Sequence, residues 1–384
     1  MKIVGIICEY NPFHLGHKKQ IDWIKARFDG NCTVVCLMSG NFVQRGHPAI
    51  FDKSYRAKAA ILSGADLVLE LPVTCALSSA EGFARGGVEI LGKFCDYLCF
   101  GCETGNENIL MDTAKALLSE KFKPLLHAEL DKGLSFPAAR ASALEAMGLD
   151  AEILRRPNDI LAVEYCKAIL STGTGMKPLP MIREGSYHAE TPDPENPSAT
   201  ALRKLIGENS HWQTYVPEIT RPVFENASVH TLEAGERAVL MKLRTMTEGE
   251  FEALPYGSEG LWRKFMHACR KEATLEAITA ATKSKRYTLT RIDRMLMCAF
   301  LGITAEMLAQ PVPYVRTLAL NDRGRSVLRS MKQHMHCINA GESVDHPYFT
   351  LECRCADLYA LFAAIIEAPG GEEKQRIYYH KETL

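Results

Sequence analysis

The sequence predicts an α/β fold, a parallel sheet covered by helices, followed by a mainly α-helical second part. Three observations lead there. Short apolar runs alternate with helix-like patterns through residues 1 to 205. The stretches after those runs are rich in Gly, Pro, Asn and His, as loops at the carboxyl ends of parallel strands often are. Beyond that point long helical periodicities dominate.

The elements follow in order. Lys2 to Cys8 is a short apolar run, and a helical stretch follows from Leu15 to Phe28. Cys32 to Met38, rich in β-branched residues, is the second strand candidate, and Lys53 to Ser63 the second helix. Asp66 to Glu70 is a third strand, Ser79 to Phe94 a helix, and Tyr97 to Phe100 a fourth strand. Residues 184 to 198 hold Gly185, Pro192, Pro194 and Pro197 and predict a loop. Ser198 or Thr200 then caps a helix that runs through Arg203. Leu232 to Met246, Gly260 to Thr279 and Thr290 to Leu301 carry the long helical periods. A domain boundary is expected near Ile206, giving an α/β domain over 1–205 and a mainly helical domain over 206–384.

The 384 residues are 47% hydrophobic and 24% charged, ordinary for a globular chain with a sizeable core. A formal net charge of −1 excludes a generic polyanion binder but leaves room for a local basic face. No apolar run reaches the roughly 18 residues of a membrane span. Met1 to Gly5 also lacks the order of a signal peptide, so a cytoplasmic location is expected. In that compartment the 13 cysteines read mostly as small buried apolar residues, Cys8, Cys36 and Cys99 among them.

The sharpest chemical signal is His14-Leu15-Gly16-His17, placed after the first strand at the start of a helix. Nucleotidyl transfer needs donors around an α-phosphate that gains charge in the transition state. Histidines three apart share one helical face. Gly16 removes a side chain where a nucleotide would lie, and Pro12 fixes the approach. The helix start adds amide donors for phosphate. His14 and His17 are therefore the expected catalytic residues. A second signal is Ser198-Ala-Thr-Ala-Leu-Arg203, whose hydroxyls and guanidinium suit the β and γ phosphates. By itself it is equally a capping turn; beside His14 and His17 it reads as a phosphate cradle through Ser198, Thr200 and Arg203.

Lys283, Lys285, Arg286, Arg291 and Arg294, with Tyr287 interleaved, form a basic cluster suited to nucleic acid, or else a solvated helix face. His334, His336, Cys337, Cys353 and Cys355 are zinc-compatible residue types, but their spacing fits no common motif, and no metal site is expected.

Taken over its length, the chain resembles the tRNA(Met) cytidine acetate ligase family. The resemblance rests on Gly5-Ile-Ile-Cys-Glu-Tyr-Asn-Pro-Phe-His-Leu-Gly-His17, Met38-Ser-Gly-Asn-Phe-Val-Gln-Arg-Gly46, Pro48-Ala-Ile50 and Gly64-Ala-Asp-Leu-Val-Leu-Glu-Leu-Pro72. It continues through Phe100-Gly101 with Glu103, Pro157-Asn-Asp-Ile-Leu161 with Glu164-Tyr165, and Lys285-Arg-Tyr-Thr-Leu-Thr-Arg291 with Arg294. It implies a Rossmann-like (HUP-type) nucleotidyltransferase domain. The implied activity adenylates acetate with ATP and passes the acetyl group to N4 of the wobble cytidine in elongator tRNA(Met), without acetyl-CoA. Mg²⁺ is expected to accompany ATP.

The implied ATP site is Ile7, Cys8, Glu9, Tyr10, Asn11, Pro12, Phe13, His14, Leu15, Gly16, His17, Lys18, Lys19 and Gln20, with Gly101, Asn158 and Arg183. Ser39, Gly40, Asn41, Gln44 and Arg45 would bound an acetate and cytidine pocket, or form a structural turn. The basic cluster would contact the tRNA. Where the family commonly shows an acidic residue after Gln-Arg-Gly, this chain has His47. Two other functions compete. A cofactor-biosynthetic adenylyltransferase acting on a small phosphorylated substrate would share the histidine loop, but the large helical half disfavours it. A non-catalytic nucleotide sensor would not need both His14 and His17.

Overall fold

The computed structural model describes residues 1–183, 193 and 197–381. The expected loop over 184–198 lies mostly outside them. Ten strands are described: β1 (Lys2–Cys8), β2 (Cys32–Ser39), β3 (Phe42–Val43), β4 (His47–Pro48), β5 (Leu67–Leu71), β6 (Tyr97–Cys102), β7 (Lys177–Ile182), β8 (Val315–Asn321), β9 (Cys337–Asn339) and β10 (Tyr378–His380). Eight of them form one sheet in the order β10-β8-β5-β2-β1-β6-β7, with β9 also on β8. The pairs among β5, β2, β1, β6 and β7 are all parallel.

Period-two burial sets the layers. Val4, Ile6 and Cys8 of β1 pack with Val34, Cys36 and Met38 of β2 on one face, against Ile21 and Ile24 of the helix Leu15–Arg27 and Leu202 and Ile206. Ile7, Val35, Leu37, Leu67 and Leu69 face the other side, against Ala84 and Val88 and against Val163 and Ile169. Both faces are covered, which is why these strands are apolar throughout rather than alternating. The sheet runs outward from β1 in both directions, through β2 to one side and through β6 to the other. The carboxyl end of β1 is thus a topological switch point, where such sheets bind ligands.

The second half is mainly helical, as expected. It nevertheless returns β8, β9 and β10 to the sheet, with β8 antiparallel to β5. The expected division at 205/206 does not mark the limit of the sheet. Leu202, Ile206, Trp212 and Phe224 share one cluster with the strands, and Phe42 and Leu77 from the first half lie in the helical core with Phe265, Met295 and Phe362. The reason is chemical. β8 is fully buried yet carries Arg316 and Thr317, and it follows a run of helices, so its period gives no warning of a sheet strand.

A buried ionic cluster fastens β8 and the C-terminal segment to the helix Lys53–Leu62. Lys53 Nζ donates to both Glu70 oxygens at 2.8 and 2.7 Å and to Glu372 Oε2 at 2.6 Å. Arg316 Nη2 donates to Glu352 Oε2 at 2.8 Å, and Tyr314 Oη donates to the same oxygen at 2.5 Å. Arg316 Nε meets Glu372 Oε1 at 2.8 Å as an ion pair without an aligned hydrogen bond. Three carboxylates face two cations here. Burial, with Glu372 and Glu352 adding to it against the pull of Lys53, raises Glu70 to about 7. Among the described residues no helix is long and apolar enough to cross a membrane.

Candidate active site

The loop after β1 turns inward before its helix starts. Tyr10 has φ +48°, a left-handed backbone uncommon outside glycine, and its ring is buried. Tyr10 and Phe13 meet edge-on at 4.8 Å, and both rings lie against His17, at 4.8 and 5.6 Å. Ile7, Cys8, Tyr10, Asn11 and Phe13 are all buried, so several residues of the expected ATP loop build its floor.

His14 is the N-cap of the helix Leu15–Arg27. Its Nδ1 accepts from Gly16 N at 3.1 Å, while His17 Nδ1 accepts from His14 N at 3.3 Å. The rings stack with centroids 3.7 Å apart and planes 24° apart. A β-carbon on Gly16 would lie 3.0 Å from His14 Cε1, so glycine gives the ring its place. Burial, then Arg183 and Arg203, lower His14 to about 3; burial, then His14 and Arg183, hold His17 well below the usual imidazole range. Both rings are therefore neutral at pH 7. With Nδ1 accepting, a neutral ring keeps its proton on Nε2. Each histidine thus offers one Nε2–H donor.

At this helix start the amides of Gly16 and His14 donate to the histidine rings. They act through the imidazoles, fixing the tautomer that makes each Nε2 a donor.

Two arginines complete the surroundings of this pair. Gly101 near the end of β6 leaves room for Arg183, since a β-carbon there would lie 2.8 Å from its Cγ and Cδ. Arg183 Nη1 donates to Asn158 Oδ1 at 3.3 Å, and Asn158 Nδ2 donates to Glu103 Oε1 at 2.8 Å. Glu103 Oε2 accepts from Asp159 N at 2.8 Å, and Asp159 Oδ1 accepts from Glu103 N and Thr104 N at 2.9 Å each. This reciprocal latch joins the loop after β6 to the helix Pro157–Thr172. Glu103 and Asp159 were not among the expected site residues, although both fall in stretches that carry the resemblance. On the other side Ser198 accepts from Ala201 N at 3.1 Å as the cap of the helix Ala199–Gly207. Arg203 Nη1 donates to Asn11 O at 2.8 Å and Nη2 to Thr200 Oγ1 at 3.1 Å. Lys18 pairs with Asp22 at 2.7 Å on the exposed side, and Gln20 Nε2 reaches Cys99 Sγ at 3.5 Å.

The loop after β2 is mostly framework. Ser39, Gly40 and Asn41 are buried. Asn41 spends its amide on Asp52 Oδ2 and Lys53 N, both at 2.8 Å. Gln44 and Arg45 are half-exposed, and Gln44 N donates to Glu9 Oε1 at 2.8 Å, so this end reaches the nucleotide loop. Gly46, at φ +83°, packs against the backbone of Asp293 and Arg294. His47 Nε2 lies 3.9 Å from Asp293 Oδ2; burial lowers His47 to about 4 and raises Asp293 to about 6.

The basic cluster does not form one surface. Arg294 is buried, lies over the Tyr256 ring at 5.2 Å and donates to Gln44 O at 3.4 Å. Arg291 donates to Tyr256 O at 2.9 and 2.8 Å and stacks on Tyr287 at 4.9 Å. These two fasten the helix Leu289–Leu301 to its neighbours; Arg294 turns inward, which charge counting cannot see, while Arg291 stays half-exposed. Lys283, Lys285 and Arg286 remain exposed, with Arg286 paired to Glu259 at 2.8 Å. Among the described residues no three His, Cys, Asp or Glu side chains converge as a metal site. Burial pushes the Cys355 thiol up, against the pull of Arg354.

Together the sheet, its switch point and the stacked histidines define a nucleotidyl transferase site. The HIGH Nucleotidyl Transferase family model matches residues 1–374. The tRNA(Met) cytidine acetate ligase of Acetivibrio thermocellus is 37% identical over 360 residues, covering 87% of this chain and 86% of its own. That of Clostridium tetani is 38% identical over 356 residues, covering 87% and 88%. Thermotoga maritima TmcAL in its apo form superposes with a TM-score of 0.91 at 28% identity over 100% of both chains, and its form bound with alpha-thio ATP with 0.88. The chain belongs to the tRNA(Met) cytidine acetate ligase family of HIGH nucleotidyl transferases.

Proposed function

We propose that this protein adenylates acetate with ATP and transfers the acetyl group to N4 of the wobble cytidine of elongator tRNA(Met). The observation that carries the proposal is the stacked, neutral His14–His17 pair with its two Nε2–H donors. The names of the relatives and the ATP analogue in one structural neighbour support the same substrates.

ATP lies along the loop from Ile7 to Gln20 and over Gly101, with Asn158 orienting Arg183 toward the phosphates. Acetate is ionised at neutral pH and needs no base. Its oxygen bonds to the α-phosphorus while the bond to pyrophosphate breaks. His14 and His17 donate to the oxygens that gain charge, and being neutral they do so without bringing protons to the leaving group. Arg183, Arg203, Ser198 and Thr200 hold the β and γ phosphates. Mg²⁺ would accompany ATP as part of the substrate and offset phosphate charge beside Arg183 and Arg203. In the second step the cytidine N4 bonds to the acetyl carbon, AMP leaves and the nitrogen releases a proton. No acetyl-CoA takes part. Gln44 and Arg45 border the acceptor, and Lys283, Lys285 and Arg286 meet tRNA phosphates.

The test is ATP–pyrophosphate exchange with and without acetate, followed by transfer of labelled acetate to tRNA. Exchange that needs acetate and label on tRNA(Met) are expected. Exchange that ignores acetate and responds to a phosphorylated metabolite would overturn the proposal.

A further inference from the structure

Arg56 on the helix Lys53–Leu62 is fully buried, and its guanidinium is spent on four backbone carbonyls. Nε donates to Phe51 O at 2.8 Å. Nη1 donates to Glu9 O at 2.6 Å and Ser39 O at 3.1 Å, and Nη2 donates to Gly40 O. Glu9 opens the histidine loop after β1, Ser39 ends β2 and Gly40 follows it, and Phe51 precedes the helix itself. One planar group thus ties the carboxyl end of β1, at the switch point, and that of its neighbour β2 to a single helix.

The neighbouring buried cation shows what is unusual. Lys53, three residues earlier on the same helix, has Glu70 and Glu372 as carboxylate partners. Arg56 has no carboxylate within ion-pair distance among the described residues; Asp52 and Glu9 act on it only at longer range. A buried charge without a counter-ion is costly, and an apolar helix residue would fill the volume more cheaply. A fold that needed only packing has no use for it. A planar fork, in contrast, can fix the mutual position of several carbonyls at once, which a lysine cannot do.

We propose that Arg56 is a positioning residue for adenylation. It sets the distance between the histidine loop and the end of β2, where Ser39 and Gly40 lie, and leaves a fixed positive charge behind the place the anionic substrates occupy. The inference rests on the proposed acetate-dependent chemistry. Its basis is that misplacement by about 1 Å of groups that align reactants costs on the order of 100-fold in rate.

The test compares Arg56→Lys, which keeps the charge and loses the fork, with Arg56→Met, which loses both. Acetate-dependent ATP–pyrophosphate exchange is measured per folded molecule, with ATP affinity from equilibrium binding and unfolding temperature from circular dichroism. In Arg56→Lys, kcat for exchange should fall by about 30- to 100-fold while ATP affinity changes by less than about 3-fold. In Arg56→Met, KM for acetate should rise as well. Lys53→Met serves as the control: it lowers the unfolding temperature through the ionic cluster and leaves kcat per folded molecule near that of the unaltered protein. If Arg56→Met does not fold, Arg56→Lys alone decides. Full kcat in Arg56→Lys, or a loss matched by Lys53→Met, would overturn the proposal. Absence of acetate-dependent exchange in the unaltered protein would instead overturn the function, and the ATP affinities would still report on loop position.

Discussion

His14 and His17 were legible in the sequence because their spacing, the glycine between them and the preceding strand all pointed the same way. Their tautomer was not, since it depends on which ring atom the backbone amides of Gly16 and His14 meet. Removing one donor from such a pair costs about 100- to 1,000-fold in kcat. His17→Ala should show that loss in ATP–pyrophosphate exchange, and His14→Ala should add about 1 kcal/mol of destabilisation as a lost N-cap, readable by denaturant titration. The pH dependence follows from the lowered pKa of His14. The unfolded ring takes a proton near 6.5 and the folded ring only near 3, so the unfolded state binds more protons between them. His14 therefore contributes a loss of stability as pH falls through that window. Exchange itself should show no inflection near 6.5, because the ring stays neutral; a clear acid limb there, assigned by its absence in His14→Asn, would contradict the tautomer.

Among elements, the loops at the carboxyl ends of β1, β2 and β6 converge, and each converges through a side chain or a space that pattern reading ranks low. Gly101 matters for the room it leaves: Gly101→Ala should push Arg183 aside and raise KM for ATP about 10-fold while the fold stays intact, as steady-state exchange kinetics would show. The helical half taught the opposite lesson. Arg291 and Arg294, expected on an RNA face, both hold the helix Leu289–Leu301 in place, Arg294 from a buried position and Arg291 from a half-exposed one. Charge in a sequence does not say which way a side chain turns, and a guanidinium can bury its stem and satisfy a carbonyl. Replacing Lys283, Lys285 and Arg286 by Ala should flatten the salt dependence of tRNA binding by up to about three phosphate contacts and spare exchange without tRNA. A binding slope unchanged by the triple replacement would place the RNA elsewhere.

Across the whole molecule, the chain closes on itself through the cluster of Lys53, Glu70, Arg316, Glu352 and Glu372. Lys53→Met leaves three buried carboxylates with one cation and should cost about 3–5 kcal/mol in chemical denaturation. Glu372→Gln has a subtler effect. Glu70 is raised to about 7 against 4.5 when unfolded, so the folded state binds more protons in that window and the Glu70 contribution is lost as pH rises through it. Glu372 is one of the groups that raise it, so the glutamine variant should show a flatter decline of stability between pH 4.5 and 7. The expected division near Ile206 does not bound the sheet. A boundary drawn from a change of period cannot foresee that β8, β9 and β10 return to a sheet begun some 300 residues earlier.

The sequence by itself determined the alternating strands and helices, the histidine loop after the first strand and the helical character of the second half. These rest on local physics: period, capping residues and glycine, all read within a dozen residues of one another. Tertiary structure decided the rest. It turned the histidines into neutral donors, sent Arg294 inward, chose Arg56 to join two strand ends and let distant strands complete the sheet. Each of those outcomes depends on which groups burial brings together, and burial is settled only when the whole chain has folded.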